Sequence, residues 1–345
     1  MDLDLTSEQE LLRESVRGIC TRHAGLDVVR QMENDPVGYP EKLWVALGEL
    51  GLHDMGELSM VDAVIVYQEL GRALAPSPHF VSSVLSAGLL VRDGREPPGE
   101  RIVVPAWLEP GGGFGPRGVT TRVDDDGRVT GAKRHVPFAS AAGQLVVLAR
   151  DGDGEVRFLL VDPAGPGVTL TQQHTIASDT QYRVDLDGAP AQPLGIVGWE
   201  HWDAVMHDGI VLLAAQAVGG ARHALDITVQ YAKDRHQFDK PLGAFQAIAH
   251  YLADAVTTVD GAETLVYEAA WARDTGRSVA RLAPMAKLFA CQTFRDVTAM
   301  AQQVFGGVGF TVEYDIQLYF RRAKQLQISW WNDRYLEELI ADAVL

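Results

Sequence analysis

The stretch YAKDRHQFDKPLGAFQAIAHYLADA (231–255) decides how this chain is read. It predicts the end of one helix, a turn at Lys240-Pro241-Leu242-Gly243, and the start of another helix. Upstream, Leu213, Ala217, Gly220, Ala224, Ile227 and Tyr231 are spaced 4-3-4-3-4. Downstream, Phe245, Ile248, Leu252, Ala255, Val259, Ala262, Val266 and Ala269 are spaced 3-4-3-4-3-4-3. Long helices with apolar stripes at this spacing pack as a bundle. RLAPMAKLFACQTFRDVTAMAQQVF (281–305) continues the pattern. At the turn, Arg235 can grip a phosphate, Gln237 can donate to one, and Phe238 can pack on a planar ring.

The texture changes toward the N-terminus. Between about 100 and 192, RIVVPAWL, GRVTG, QLVVLAR, VRFLLVD, GVTLTQQ and YRVDLDG are strand-like and separated by turn residues. They predict a small antiparallel β-domain. DDDGR (124–128) reads as a hairpin turn, since the later carboxylates of a calcium loop are missing. GGGFGPRG (111–118) lacks the GxGxxG pattern and reads as a loop. Before that, Thr6 or Ser7 can cap a helix over EQELLRESVRGICTRHA, with Gln9 or Glu10 completing a capping box. PEKLWVALGELGL (40–52) and MVDAVIVYQELGRALA (60–75) are amphipathic, and Pro76 and Pro78 stop the latter. The expected layout is an α-helical domain at 1–98, a β-domain at 99–195 and a helical bundle at 196–345.

The 345 residues carry 30 Lys plus Arg against 46 Asp plus Glu, a net charge of −16 that excludes nonspecific nucleic-acid binding. Cys20 and Cys291 match no zinc or redox spacing, so a reducing cytoplasm is the expected compartment and no disulfide is expected. No metal site is legible among the ten histidines. The N-terminus has no apolar core of a signal peptide, and no sufficiently long uninterrupted apolar run predicts a membrane span.

A second informative segment is AQQVFGGVGFTVEYDIQLYFRRAK (301–324). Gly306-Gly307 ends a helix and removes side chains, so a ligand or another chain can approach the backbone. Gln303 precedes that gap by one turn.

Together these segments resemble the acyl-CoA dehydrogenases, flavoproteins that oxidise acyl-CoA thioesters at the α,β-bond. The resemblance rests on Arg235-His236-Gln237-Phe238 with Gln246, and on Gln303-Val304-Phe305-Gly306-Gly307-Val308-Gly309-Phe310 with Arg321-Arg322-Ala323-Lys324. LGELGL (47–52), YQELGRALAPSP (67–78), LEPGGG (108–113), GRVTGAK (127–133), VDPAGPGV (161–168) and QAVGGARHALD (216–226) extend it in collinear order over nearly the whole chain. It implies a helical domain, a β-domain and a C-terminal four-helix bundle. It also implies FAD, with Arg235, Gln237, Phe238, Gln303, Gly306 and Gly307 reaching the pyrophosphate and adenosine of a neighbouring subunit's cofactor. An acyl-CoA thioester is the implied substrate and an electron-transferring flavoprotein the implied acceptor.

The pattern breaks where the chemistry sits. The family's base is a Glu in a YEGT motif, whose Tyr-Glu pair falls here on Ser329 and Trp330, followed by Trp331 and Asn332. Tryptophan cannot abstract a proton. In some members the Glu starts the first bundle helix, which here is near Gly209. Asp208 stands beside it and reads as a solvated aspartate at a helix start. The family's flavin contacts in the β-domain are replaced by Leu108-Glu109-Pro110 and His135-Val136-Pro137, and the loop after LGELGL shortens to HDMGELSM (53–60). These departures are similar to the smaller, glutamate-lacking subunits of bacterial heteromeric acyl-CoA dehydrogenases, such as those acting on steroid side-chain thioesters. The expectation is one subunit of a hetero-oligomer whose partner supplies the Glu. The alternatives are a self-sufficient homo-oligomer with a relocated base, or a flavin-free structural or regulatory subunit.

Overall fold

Thr6 opens the first helix, Ser7–His23, through a complete capping box: Gln9 N–H donates to Thr6 Oγ1 at 3.2 Å, and Gln9 Oε1 accepts from Thr6 N–H at 3.0 Å. The computed structural model describes residues 4–345. Its packing forms two units that cut across the three sequence blocks. One unit gathers residues 4–26, Leu58–Ala75 and Ile210–Leu345; the other gathers Asp27–Glu57 and Pro76–Gly209.

In the first unit the helices Trp199–Asp234, Gln246–Asp274, Leu282–Phe305 and Ile316–Ile328 form the bundle that the 3-4 spacing predicts, the first of them entering at Ile210. Leu213, Ala217 and Ala224 are fully buried, as are Val259, Ala262, Val266 and Ala269. The helix Met60–Arg72 joins them. Its first N–H groups are satisfied by Ser59 Oγ and, from far along the chain, by the Asp274 carboxylate at 2.7 Å from Met60 N and 3.1 Å from Val61 N. A Cβ on Gly71 would lie 2.0 Å from Gln216 O, and one on Gly219 would lie 1.9 Å from Gln68 O. The two helices therefore cross backbone against backbone, which only this pair of glycines permits.

The second unit holds the β-structure. All six strand-like segments form strands, and Arg122–Val123 adds a seventh. From Val103–Ala106 the order runs through Gln144–Arg150, Arg122–Val123, Arg128–Pro137 and Gln181–Val197 to Val156–Val161. Val156–Val161 also pairs with Gln144–Arg150, closing the path on itself. Most pairs are antiparallel as expected, but Val103–Ala106 runs parallel to Gln144–Arg150. DDDGR is a hairpin turn, with Asp124 Oδ1 accepting from Asp126 N–H and Arg128 N–H. The last strand runs on to Val197, beyond its predicted end.

The helix Trp199–Asp234 is long and apolar enough to cross a membrane by length and composition. That differs from the sequence expectation. However, 78% of its most apolar window is buried inside the protein, so its apolarity serves the core.

Two histidines of the second unit make its stability depend on acid. His79 is buried, with Nε2 at 2.7 Å from Leu52 O, and burial pushes its pKa down from 6.5 to about 4. His53 stacks on Trp44, and burial lowers its pKa too. Between pH 6.5 and about 4 the unfolded chain binds more protons than the folded one, so stability is complete above that window and falls as pH drops through it. The expected loss from His79 alone by pH 4 is about 3 kcal/mol. Urea titrations across this range should show that slope, reduced in His79→Gln.

Candidate functional site

The helix Trp199–Asp234 ends one residue before Arg235, and a two-residue hairpin follows. His236 and Gln237 pair with Pro241 and Lys240. Phe238 and Asp239 form its tip with φ of 52° and 63°, the left-handed pair that a tight hairpin turn requires. That conformation disfavours bulky side chains, yet Phe238 occupies it and stands 86% exposed. Its ring meets the edge of Phe245 at 6.3 Å, and Lys240 Nζ lies 4.1 Å above Phe245.

The helix Leu282–Phe305 ends at Gly306 with φ 67° and ψ −144°, a conformation that glycine alone adopts readily. A Cβ on Gly306 or Gly307 would meet nothing within 4 Å. Gln303 is exposed one turn earlier.

The structure brings these two segments together through aromatic residues not singled out for this role in the sequence. Tyr231, one turn before Arg235, stacks on Phe305, which directly precedes Gly306, at 4.1 Å and 14°. Tyr314 stands edge-on to Tyr231 at 6.4 Å and to Phe305 at 5.8 Å. The legible signal was position: one aromatic sits a helical turn before the arginine, another beside the glycine pair. Arg235, Gln237 and Gln303 are exposed, and their side chains make no hydrogen bond or ion pair among the described residues. A guanidinium, two amides, an outward aromatic ring and a bare glycine backbone form a donor set suited to a phosphate and a planar ring. All six predicted residues are exposed.

The corner where the family motif places its base is differently built. The helix Ile316–Ile328 ends before Ser329, and Asn332 caps Asp333–Val344 by accepting from Tyr335 N–H. Trp330 and Trp331 have φ of 53° and 71°, and Trp331 is fully buried. Lys287, itself fully buried, donates to Leu326 O at 3.0 Å and Trp331 O at 2.9 Å and pins this corner. Burial lowers its pKa, with Cys291 and Asp333 opposing. Asp333 went unremarked in the sequence. Its Oδ2 accepts from Gln327 Nε2 at 2.7 Å, while Oδ1 is buried without a partner among the described residues.

Asp208 is not at a helix start. The helix begins at Trp199, so Asp208 lies more than two turns inside it and is half-buried. The family resemblance places the helix start near Gly209, but WEHWDAVMHD (199–208) belongs to the same helix. Beside it, burial works against protonation of His207, but the Asp203 hydrogen bonds outweigh it and raise the pKa.

In the second unit Glu109 points into the core. It is 3% exposed, lies 2.5 Å from Lys133 Nζ, and accepts from Thr120 N–H at 2.9 Å and Thr121 N–H at 3.0 Å. Lys133 is fully buried and also donates to Leu148 O. Burial pushes its pKa down to about 8, with Glu109 opposing; burial raises that of Glu109, but Lys133 and the Thr donors bring it below the usual carboxylate value. His135 has φ 52°, and its Nδ1 is 2.9 Å from Gln181 Oε1, while Val136 is buried. Glu109 and Val136 thus have structural tasks within the β-unit. Among the described residues no group of three His, Cys, Asp or Glu could hold a metal ion.

Comparison with known proteins agrees with this architecture. The family profile described as acyl-CoA dehydrogenase, C-terminal domain, matches residues 197–345, and the N-terminal domain profile matches 6–105. The chain is similar to acyl-CoA dehydrogenase IpdE2 of Mycolicibacterium smegmatis, 31% identical and covering 92% of this chain and 93% of that one. Among solved structures, a variant of the Tcur3481–Tcur3483 steroid ACAD is 29% identical, covers 97% of this chain and 98% of its own, and has a TM-score of 0.86. The ChsE4–ChsE5 complex of Mycobacterium tuberculosis is 25% identical, covers 100% and 99%, and has a TM-score of 0.88.

Proposed function

The chain belongs to the acyl-CoA dehydrogenase family, and from that premise we propose that it is one subunit of an FAD-dependent acyl-CoA dehydrogenase whose partner subunit supplies the catalytic glutamate. The observation that carries this reading is the Ser329–Asn332 corner. It contains no carboxylate, a buried tryptophan fills it, and Lys287 ties its backbone down.

When bound, FAD accepts the hydride leaving the β-carbon of the thioester. This chain's part is binding. Arg235 and Gln303 would hold the pyrophosphate, Gln237 would donate beside it, Phe238 would pack on the adenine, and Gly306-Gly307 would let the backbone come close. These residues cover one side, so the cofactor lies at a subunit interface. The α-proton goes to the partner's glutamate. An electron-transferring flavoprotein is the electron acceptor that the family resemblance implies. The names of the two assemblies similar to this chain favour a heteromer, and the steroid ACAD favours a bulky steroid thioester as substrate.

The test is colour. Expressed alone, the chain should be nearly colourless; co-expressed with a glutamate-bearing acyl-CoA dehydrogenase subunit, it should co-purify as a yellow heteromer. A yellow homo-oligomer that a thioester bleaches contradicts the proposal and favours a relocated base. A colourless complex with the partner favours a structural or regulatory subunit.

A further inference from the structure

The helical unit contains a second cleft, independent of the flavin reading. It encloses ≈ 270 Å³ between the helices Ser7–His23, Met60–Arg72, Trp199–Asp234 and Ile316–Ile328. Arg17, Cys20, Glu69, Arg72, His223 and Tyr319 supply its chemistry. Three of these, Arg17, Glu69 and Tyr319, are already satisfied. Arg17 donates twice to the buried Glu69, at 2.8 and 2.6 Å, so their charges cancel. Tyr319 donates its hydroxyl to Arg72 O at 2.7 Å and presents its ring to His223 at 5.5 Å.

Arg72 and His223 are not. Among the described residues the Arg72 guanidinium has one loose ion pair, 3.5 Å to Asp226, whose side chain is 54% exposed. His223 has no hydrogen bond from either ring nitrogen among the described residues; Nδ1 is sealed from solvent, and Nε2 remains reachable. Burial, then the Arg72 charge, pushes its pKa down to about 4, against Asp226, Asp315 and Glu69. It is therefore a neutral ring with an unused N–H beside an under-matched cation. The three carboxylates disfavour a dianion. Ala24, Ala73 and the Cys20 thiol, whose pKa burial raises to about 12, leave the remaining wall uncharged.

We infer that this cleft binds a small monocarboxylate with a short apolar body, its carboxylate held between the Arg72 guanidinium and His223 Nε2–H. Butyrate is the probe, with butyramide and inorganic phosphate as comparisons, titrated calorimetrically into the protein in its purified assembly. Butyrate should bind, and butyramide and phosphate should not. Arg72→Gln should weaken butyrate about tenfold or more. Asp226→Asn should tighten it, because Asp226 competes for the same guanidinium. These opposite shifts separate the cleft from any thioester pocket, and thioester turnover by the assembly should be unchanged in both variants. Equal binding of butyramide or phosphate, no butyrate binding, or no response to Arg72→Gln overturns the inference. If Arg72→Gln fails to fold, the Asp226→Asn shift decides alone, and unchanged affinity there overturns it.

Discussion

Lys133→Met is expected to lower the unfolding free energy by about 3–5 kcal/mol, the largest stability loss of any single change considered. The cause is what it leaves behind. Glu109 is 3% exposed, and Lys133 is its only cationic partner among the described residues, at 2.5 Å. The Thr120 and Thr121 donors remain, but a carboxylate charge would stay buried without a countercharge. Lys133 also bridges to Leu148 O, so one strand carbonyl loses its donor. Adding Glu109→Gln to Lys133→Met should recover more than half of the loss, because a neutral amide is far cheaper to bury than an unpaired carboxylate. Urea denaturation of the two single variants and the double variant measures the coupling. Additive single effects would mean that the pair does not act as a unit.

The second large effect concerns the cofactor. Arg235→Ala should weaken FAD retention by about ten- to a hundredfold, the worth of a charge-assisted hydrogen bond to phosphate. Stability should hardly move, since the Arg235 side chain is exposed and has no partner among the described residues. Gly306→Val acts differently. The position has open space, but its φ of 67° is hostile to a β-branched residue, so the backbone must shift where the cofactor approaches it. Flavin fluorescence released from the purified assembly, against its thermal midpoint, separates the two. Full flavin content in Arg235→Ala would remove the arginine from the cofactor site.

The helical part of the fold was legible because its signals are local. The stripe from Leu213 to Tyr231 and the Thr6 capping box need only neighbouring residues, and both appear as read. The strands were legible for the same reason, but the parallel pairing of Val103–Ala106 was not, since register depends on residues far apart in sequence. The two packing units were hidden because Leu58–Ala75 joins the bundle through the close approach of Gly71 to Gln216, which no periodicity reveals. At the candidate site, each motif could be read by itself. The Tyr231–Phe305 stack that joins them is a tertiary contact between helices. Glu109 stood out in sequence as a missing flavin contact, while its ion pair with Lys133 became visible only once the strands were folded.

If the base lies in another chain, thioester-driven bleaching of the co-purified yellow heteromer under anaerobic conditions depends on that chain's glutamate. Three versions of that heteromer are compared with the unmodified one: the partner's glutamate changed to glutamine, and this chain carrying Asp208→Asn or Asp333→Asn. Bleaching should be lost with the partner change and persist with either change in this chain. Bleaching that survives loss of the partner's glutamate and disappears with Asp208→Asn or Asp333→Asn would place the base here and contradict the account.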